Sequence, residues 1–292
     1  MTLVLLDGPL GSELEARGVP LPAPAWSARA VAEAPDVVAA IHRDYAEAGA
    51  DVHTTCTFRT RRRSLIGTPW YGRHDELARR ATDLCRAAVD EVGHGRVAGG
   101  LAPLEDCFRP DLTPDDEALA AEHAELATAL ADAGCDLLLV ETMPTLRELI
   151  AATRAAADTG LPVWSAVTFG PDGDCFDDTS LLRARDAALD AGAEAFLVNC
   201  TPADRITSAL GHLAAHPATD QAGGRADAPR RNPGGAALGA YGNAIFEGQT
   251  DWPAERYVDE VERWRALGAT ILGGCCGTTP AHLARLRARL IG

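Results

Sequence analysis

The chain has no run of eighteen apolar residues, so nothing in it reads as a membrane-spanning helix. Its opening, Met1-Thr2-Leu3-Val4-Leu5-Leu6-Asp7, lacks both a basic n-region and a small-residue cleavage site. That argues against a signal peptide and makes the cytoplasm the expected location. Basic charge is in short supply: 27 Lys and Arg face 42 Asp and Glu, for a net charge of −15. Phosphate binding needs a positive field, so nucleic acid is not an expected partner. The clusters Arg61-Arg62-Arg63 and Arg230-Arg231 have no interleaved aromatics and read as solvated loops. Nor does a glycine-rich phosphate loop follow the first apolar run, where the residues are Asp7-Gly8-Pro9-Leu10-Gly11.

What is present is a regular alternation. Short β-rich runs at 3–6, 51–55, 96–101, 136–140, 162–168, 195–199, 237–241 and 270–272 are separated by longer stretches. Helical periodicity is plain at 36–48, 75–92, 114–133, 146–157 and 254–267. Several of these end in an Ala-Gly-Ala or Ala-Gly-Cys step, where glycine supplies the left-handed turn into the next strand. Eight strand–helix units with strands apolar on both faces indicate parallel pairing. Eight units in 292 residues match a single α/β domain, a (β/α)8 barrel, which takes about 250 residues. A segment at 216–235, rich in Ala, Gly, Pro, Asp and Arg, reads as a flexible insertion before the seventh strand.

Eight cysteines remain to be explained. The chain is too large and too rich in core residues for a disulfide scaffold, so reduced thiols are expected. Cys85 and Cys135 fit as small buried hydrophobes, and Cys107 and Cys175 receive no role. In a barrel, reacting groups stand at the carboxyl ends of the strands. Asn199-Cys200-Thr201-Pro202 follows the sixth strand, and Gly273-Gly274-Cys275-Cys276-Gly277-Thr278-Thr279-Pro280 follows the eighth. The two ends are near neighbours around the ring. Cys200, Cys275 and Cys276 can therefore converge as a three-thiolate set for Zn2+ with a fourth position open. Buried packing is the alternative for any one of them. Thr279 and Pro280 read as the cap and first residue of the last helix.

The Gly-Gly-Cys-Cys-Gly-Thr-Thr-Pro-Ala-His segment at 273–282, with Val198-Asn199-Cys200-Thr201-Pro202, resembles the homocysteine S-methyltransferase family. Asp7-Gly8-Pro9-Leu10-Gly11-Ser12-Glu13-Leu14 and Glu141-Thr142-Met143-Pro144 resemble its other signatures. The resemblance implies a barrel in which Cys200, Cys275 and Cys276 bind zinc and the homocysteine sulfur is the fourth ligand. It implies that Glu141 binds the substrate ammonium, with Asp7 and Gly8 beside the amino-acid moiety and their amides available to its carboxylate. Thr55, Thr57 and Asn243 stand at further strand ends. The chain departs from the pattern at Cys56, Pro9 and Gly242, which leaves the far side of the pocket less defined.

The expected reaction is methyl transfer from a sulfonium, S-methylmethionine first and S-adenosylmethionine second, to homocysteine. Folate-using relatives carry additional modules, and betaine-using relatives run further past the last helix. Trp26, Phe58, Trp70, Phe169, Tyr241 and Trp252 are the aromatic candidates for a cationic donor. Selenocysteine or another small thiol is the alternative acceptor. A non-catalytic barrel with a structural zinc, closed by a fourth ligand such as Cys56, is the alternative class. Small-molecule substrates are the only expected partners, with the chain a monomer or a small homo-oligomer.

Overall fold

A computed structural model of the chain describes residues 2–218, 236–244 and 252–292. Eight strands run parallel: β1 Val4–Leu5, β2 Val52–Thr54, β3 Arg96–Leu101, β4 Leu137–Met143, β5 Val163–Val167, β6 Ala195–Pro202, β7 Ala237–Asn243 and β8 Ile271–Gly274. Each pairs with the next, and β8 pairs with β1. The ring closes between β1 and β2 through one parallel bridge, Leu6 to Val52. Flanking it, the Asp51 amide donates to Leu5 O at 2.8 Å and the Asp7 amide to Val52 O at 2.9 Å. This is a (β/α)8 barrel, as the alternation predicts.

The helices that return the chain are α3 Pro35–Glu47, α4 His74–Val92, α5 Asp116–Asp132, α6 Leu146–Ala157, α7 Leu181–Ala191, α8 Ala203–Ala215, α9 Ala254–Ala266 and α10 Pro280–Leu290. Asp115, Thr145 and Ser180 cap α5, α6 and α7 by accepting from backbone amides of the first turn. Thr279 caps α10, with Pro280 at its first position and the His282 side chain reaching back.

Two short helices, α1 Leu10–Ala16 and α2 Ser27–Glu33, fill the connection after β1 and were not legible in the sequence. Each spans seven residues and neither has a side-chain cap, so periodicity had little to act on.

Strand alternation divides the core in two. Leu137, Leu139, Ala195, Leu197, Ala166 and Val52 pack inside the barrel. Leu138, Val140, Phe196 and Val198 face outward and pack with the helices. Strands β4, β6 and β7 run two or three residues beyond their expected ends. Cys200 and Asn243 are therefore inside strands rather than after them. The 216–235 insertion was expected after α8. His216 closes that helix, and 219–235 lie outside the described residues. No described helix is long and apolar enough to cross a membrane.

The arginine cluster corrects one expectation. Arg61 is 3% exposed, not solvated. Its guanidinium donates to Ala102 O at 2.7 Å, Phe58 O at 2.8 Å and Ser64 Oγ at 3.2 Å. Backbone carbonyls form its cage, and a sequence carries no mark of them. Arg63 pairs with Glu105 and Glu122, while Arg62 is exposed, and Arg230 and Arg231 lie outside the described residues.

Close packing at the β8–β1 seam depends on Gly273, where a Cβ would stand 2.6 Å from Leu6 Cβ. Gly273→Ala is expected to lower stability by about 1–3 kcal/mol through overpacking. Gly211→Ala, on α8 with nothing within 4 Å of its new methyl, is expected to raise it by up to about 1 kcal/mol through helix propensity. Urea denaturation checks the pair; equal effects from both would contradict the packing account.

Candidate active site

A cavity of about 820 Å³ opens at the carboxyl ends of the strands. Asp7 and Gly8 enter it from β1, Thr54 and Thr55 from β2, Glu141 and Thr142 from β4, Cys200 from β6 and Tyr241 from β7. Cys275 and Cys276 follow β8. The Sγ atoms of Cys200, Cys275 and Cys276 all lie within 4.8 Å of one another. Among the described residues no fourth Cys, His, Asp or Glu joins that group.

Local sequence explains how adjacent sulfurs reach one point. Cys275 donates its amide to Gly242 O at 2.8 Å, which continues the β7–β8 ladder. The chain then turns at once: the Thr278 amide and hydroxyl both donate to Cys275 O, at 3.0 and 2.9 Å. Gly274 makes this turn possible, since a Cβ there would meet Thr278 Oγ1 at 2.1 Å. From α9, the Tyr257 hydroxyl accepts from the Gly242 amide at 3.2 Å and lies 2.8 Å from Gly273 O, bracing both strand ends.

Cys200 reaches the trio by a different device. Its backbone is left-handed (φ 51°), as is that of Thr142 beside Glu141 (φ 61°). Such conformations cost non-glycine residues about 1–3 kcal/mol and persist only where the surroundings enforce them. Asn199 does so here. Its Oδ1 accepts the Thr142 amide at 3.1 Å and its Nδ2 donates to Thr142 Oγ1 at 2.7 Å. One side chain thus ties the β4 end, with Glu141, to the β6 end, with Cys200.

The electrostatics are those of a site built for positive charge. Hydrogen bonds from Cys200 and Cys275 hold the Cys276 thiol well below the usual range. In turn, hydrogen bonding to Cys275 and Cys276, with burial, pushes the Cys200 thiol well above it. Three thiols this close cannot all ionise unaided. A bound divalent cation would favour their thiolate forms. The donor set therefore fits a soft or borderline metal, zinc foremost. Burial also raises Glu141 to about 7, and the nearby Cys276 sulfur adds to the shift against a partial offset from Arg61.

Other expected residues vary. Asp7 is buried and lines the cavity, but its amide is committed to Val52, so of the two only the Gly8 amide is left for a ligand. Thr55 lines the cavity while its hydroxyl accepts the Gly100 amide at 3.1 Å. Thr57 bonds Gly100 O at 2.8 Å and is not part of the lining. Asn243 is buried and is not among the lining residues either. Cys56 lines the cavity apart from the trio, its thiol donating to Ser27 O at 3.9 Å and pushed up to about 12 by burial.

Of the six aromatic candidates, Trp26, Phe58 and Tyr241 line the cavity; Trp70, Phe169 and Trp252 do not. Trp252 stacks instead under Arg256 at 3.7 Å. Sequence reasoning missed the Asn199–Thr142 clamp and Arg61; a polar residue one step before a candidate ligand was the only signal.

The desolvated, half-buried Glu141 carboxyl with its raised pKa makes a sign-definite prediction. Between the ordinary value of 4.5 and about 7 the folded chain binds the Glu141 proton and the unfolded chain does not. Stability therefore falls as pH rises through that window. Glu141→Gln is expected to be more stable than the parent, metal-free protein by about 3 kcal/mol above pH 7. The gain should shrink as pH falls toward 5. Denaturant melts across that range check it, and a pH-independent difference would contradict the burial account.

The homocysteine S-methyltransferase family model matches residues 4–290. The homocysteine S-methyltransferase of Escherichia coli strain K12 is 32% identical, over 98% of this chain and 95% of its own length. A selenocysteine methyltransferase from Astragalus bisulcatus is 28% identical, over 94% of this chain and 89% of its own. The metallated form of the E. coli homocysteine methyltransferase MmuM superposes with a TM-score of 0.82 at 28% identity, covering 99% of this chain and 96% of that one. The chain thus has full-length counterparts of the same fold, and it belongs to the homocysteine S-methyltransferase family of enzymes.

Proposed function

We propose that the protein transfers a methyl group from a sulfonium donor to the thiol of homocysteine, with zinc held by Cys200, Cys275 and Cys276. The observation that carries this reading is the meeting of three sulfurs in one cavity that Glu141 also lines. Zinc at the three sulfurs supplies a Lewis-acidic position at which an incoming thiol is bound as its thiolate, the nucleophilic form, near neutral pH.

The chain's own residues orient the partners. Glu141 accepts the homocysteine ammonium; a cation at that position offsets the rise that desolvation gives its carboxyl. The Gly8 amide faces the substrate carboxylate. Tyr241 offers a buried hydroxyl with no hydrogen-bond partner among the described residues. The homocysteine sulfur then attacks the donor methyl carbon in line. One carbon–sulfur bond forms as another breaks, and the departing electron pair neutralises the sulfonium. With S-methylmethionine, both products are methionine.

Support for a cationic donor lies in the wall. Five lining carboxylates, Asp7, Glu15, Glu105, Asp106 and Glu141, face two lining guanidiniums, Arg59 and Arg63. Trp26 and Phe58 meet edge to face with centroids 5.6 Å apart, and aromatic faces attract sulfonium as they do ammonium. S-methylmethionine is the first donor and S-adenosylmethionine the second. The likeness to a selenocysteine methyltransferase adds the selenol as a competing acceptor.

Zinc-loaded protein incubated with homocysteine and each sulfonium in turn should form methionine; no methionine from either would overturn the reading. Cys276→Ser should lose zinc and at least about 100-fold in turnover together, while its circular dichroism stays that of the barrel. Glu141→Ala should raise the KM for homocysteine more than it lowers kcat. Retained turnover in Cys276→Ser would contradict the ligand assignment.

A further inference from the structure

A second group of ligating side chains stands behind the cavity wall, apart from the three cysteines. One ligand atom each from Asp7, His42 and His53 lies within 4.8 Å of the other two, and all three residues are buried. They come from three separate elements. Asp7 follows β1. His53 points outward from β2, opposite in sense to Val52, which packs inside the barrel. His42 sits on α3, which packs against β2.

The histidines are not satisfied by the protein around them. Among the described residues none of their four ring nitrogens has a partner in good hydrogen-bonding geometry, and the Ala50 backbone only partly offsets the lowering of His53. Buried polar groups in folded chains are nearly always paired, and two neighbouring imidazoles without partners stand well outside that pattern. Asp7 adds a carboxylate whose Oδ2 accepts the Thr54 amide at 2.9 Å. Burial pushes its carboxyl up, so a positive charge beside it is the missing counterpart. The same burial lowers His42 to about 3 and His53 to about 4. Both rings therefore stay neutral, in the form that donates a lone pair to a metal.

We propose that Asp7, His42 and His53 form a second divalent-cation site, separate from the three cysteines and of different chemistry. Two imidazoles and a carboxylate favour zinc or another first-row divalent ion over the hard cations that prefer all-oxygen ligands. Its position gives it a structural task. β1 and β2 meet through the single Leu6–Val52 bridge and its flanking backbone bonds, the shortest pairing in the ring. An ion joining Asp7 to His53 clasps that seam, and His42 fastens it to α3. Asp7 and Thr54 also line the cavity on their other side, so the clasp fixes the floor on which Gly8 presents its amide. The site stands on its own geometry and does not depend on the methyl-transfer reading.

Cobalt(II), which reports its ligands by absorption, tests this on the full-length chain after removal of metal with a chelator. The wild type should bind two equivalents. Cys200→Ser/Cys275→Ser/Cys276→Ser should bind one, with weak d–d bands and no sulfur-to-cobalt charge transfer. His53→Val in the wild-type background should bind one equivalent with full sulfur charge transfer. The thermal midpoint of the triple-serine protein should rise with added cobalt, and adding His53→Val should abolish the rise. Saturation of the wild type at a single equivalent with full sulfur charge transfer overturns the proposal even where the triple variant fails to fold. So does a folded triple-serine protein that takes up no cobalt, or a His53→Val protein that still binds two.

Discussion

Like charges a few ångströms apart repel strongly in a partly dry site, so three cysteines brought into contact cannot all ionise unaided. In this chain the conflict settles on Cys276, whose thiol is drawn down by the two sulfurs that hydrogen-bond to it. Crowding of the sulfurs makes the site one that favours a cation. Glu141 repeats the theme with oxygen, since desolvation and the nearby Cys276 sulfur raise its carboxyl. Cavity and wall together carry more acidic than basic side chains, a surplus that suits cationic ligands.

Holding that arrangement takes a scaffold with strain built into it. Cys200 and Thr142 adopt backbone conformations unfavourable to their side chains, and Asn199 compensates with two hydrogen bonds to Thr142. Tyr257 holds the ends of β7 and β8, and Tyr45 packs so closely on Gly8 that a Cβ there would stand 2.4 Å from its hydroxyl. These contacts fix the trio from behind, while the rim of the cavity is fixed by the Arg61 guanidinium and its carbonyl cage. Rigidity below and ion-paired loops above suit a site that must align two substrates along one axis.

The barrel was legible because its signals are local and repeated. Leu137 to Val140 alternates inward and outward, and glycine closes helix after helix. The thiol trio was legible because Gly273 to Gly277 has an unusual composition, and because parallel strands put every carboxyl end on one face. What escaped were features carried by a partner far away in sequence. Asn199 looks like any polar strand-end residue until Thr142 is seen opposite it. Arg61 sits in a basic run that composition assigns to solvent, and only folding brings it Ala102 O and Phe58 O. His42 lies on the buried side of an amphipathic helix, where it passes for packing until His53 and Asp7 arrive from β2 and β1. Among the aromatics, proximity to a loop did not distinguish Trp26, which enters the cavity, from Trp252, which covers Arg256.

The account rests on three protein sulfurs that share one ion and leave it room for a fourth. Zinc K-edge X-ray absorption on protein loaded to one equivalent, before and after homocysteine, reads this directly. The prediction is three sulfurs and one lighter atom in the free protein, becoming four sulfurs with homocysteine bound. A zinc already closed by four protein ligands, or a coordination shell that homocysteine leaves unchanged, would contradict it.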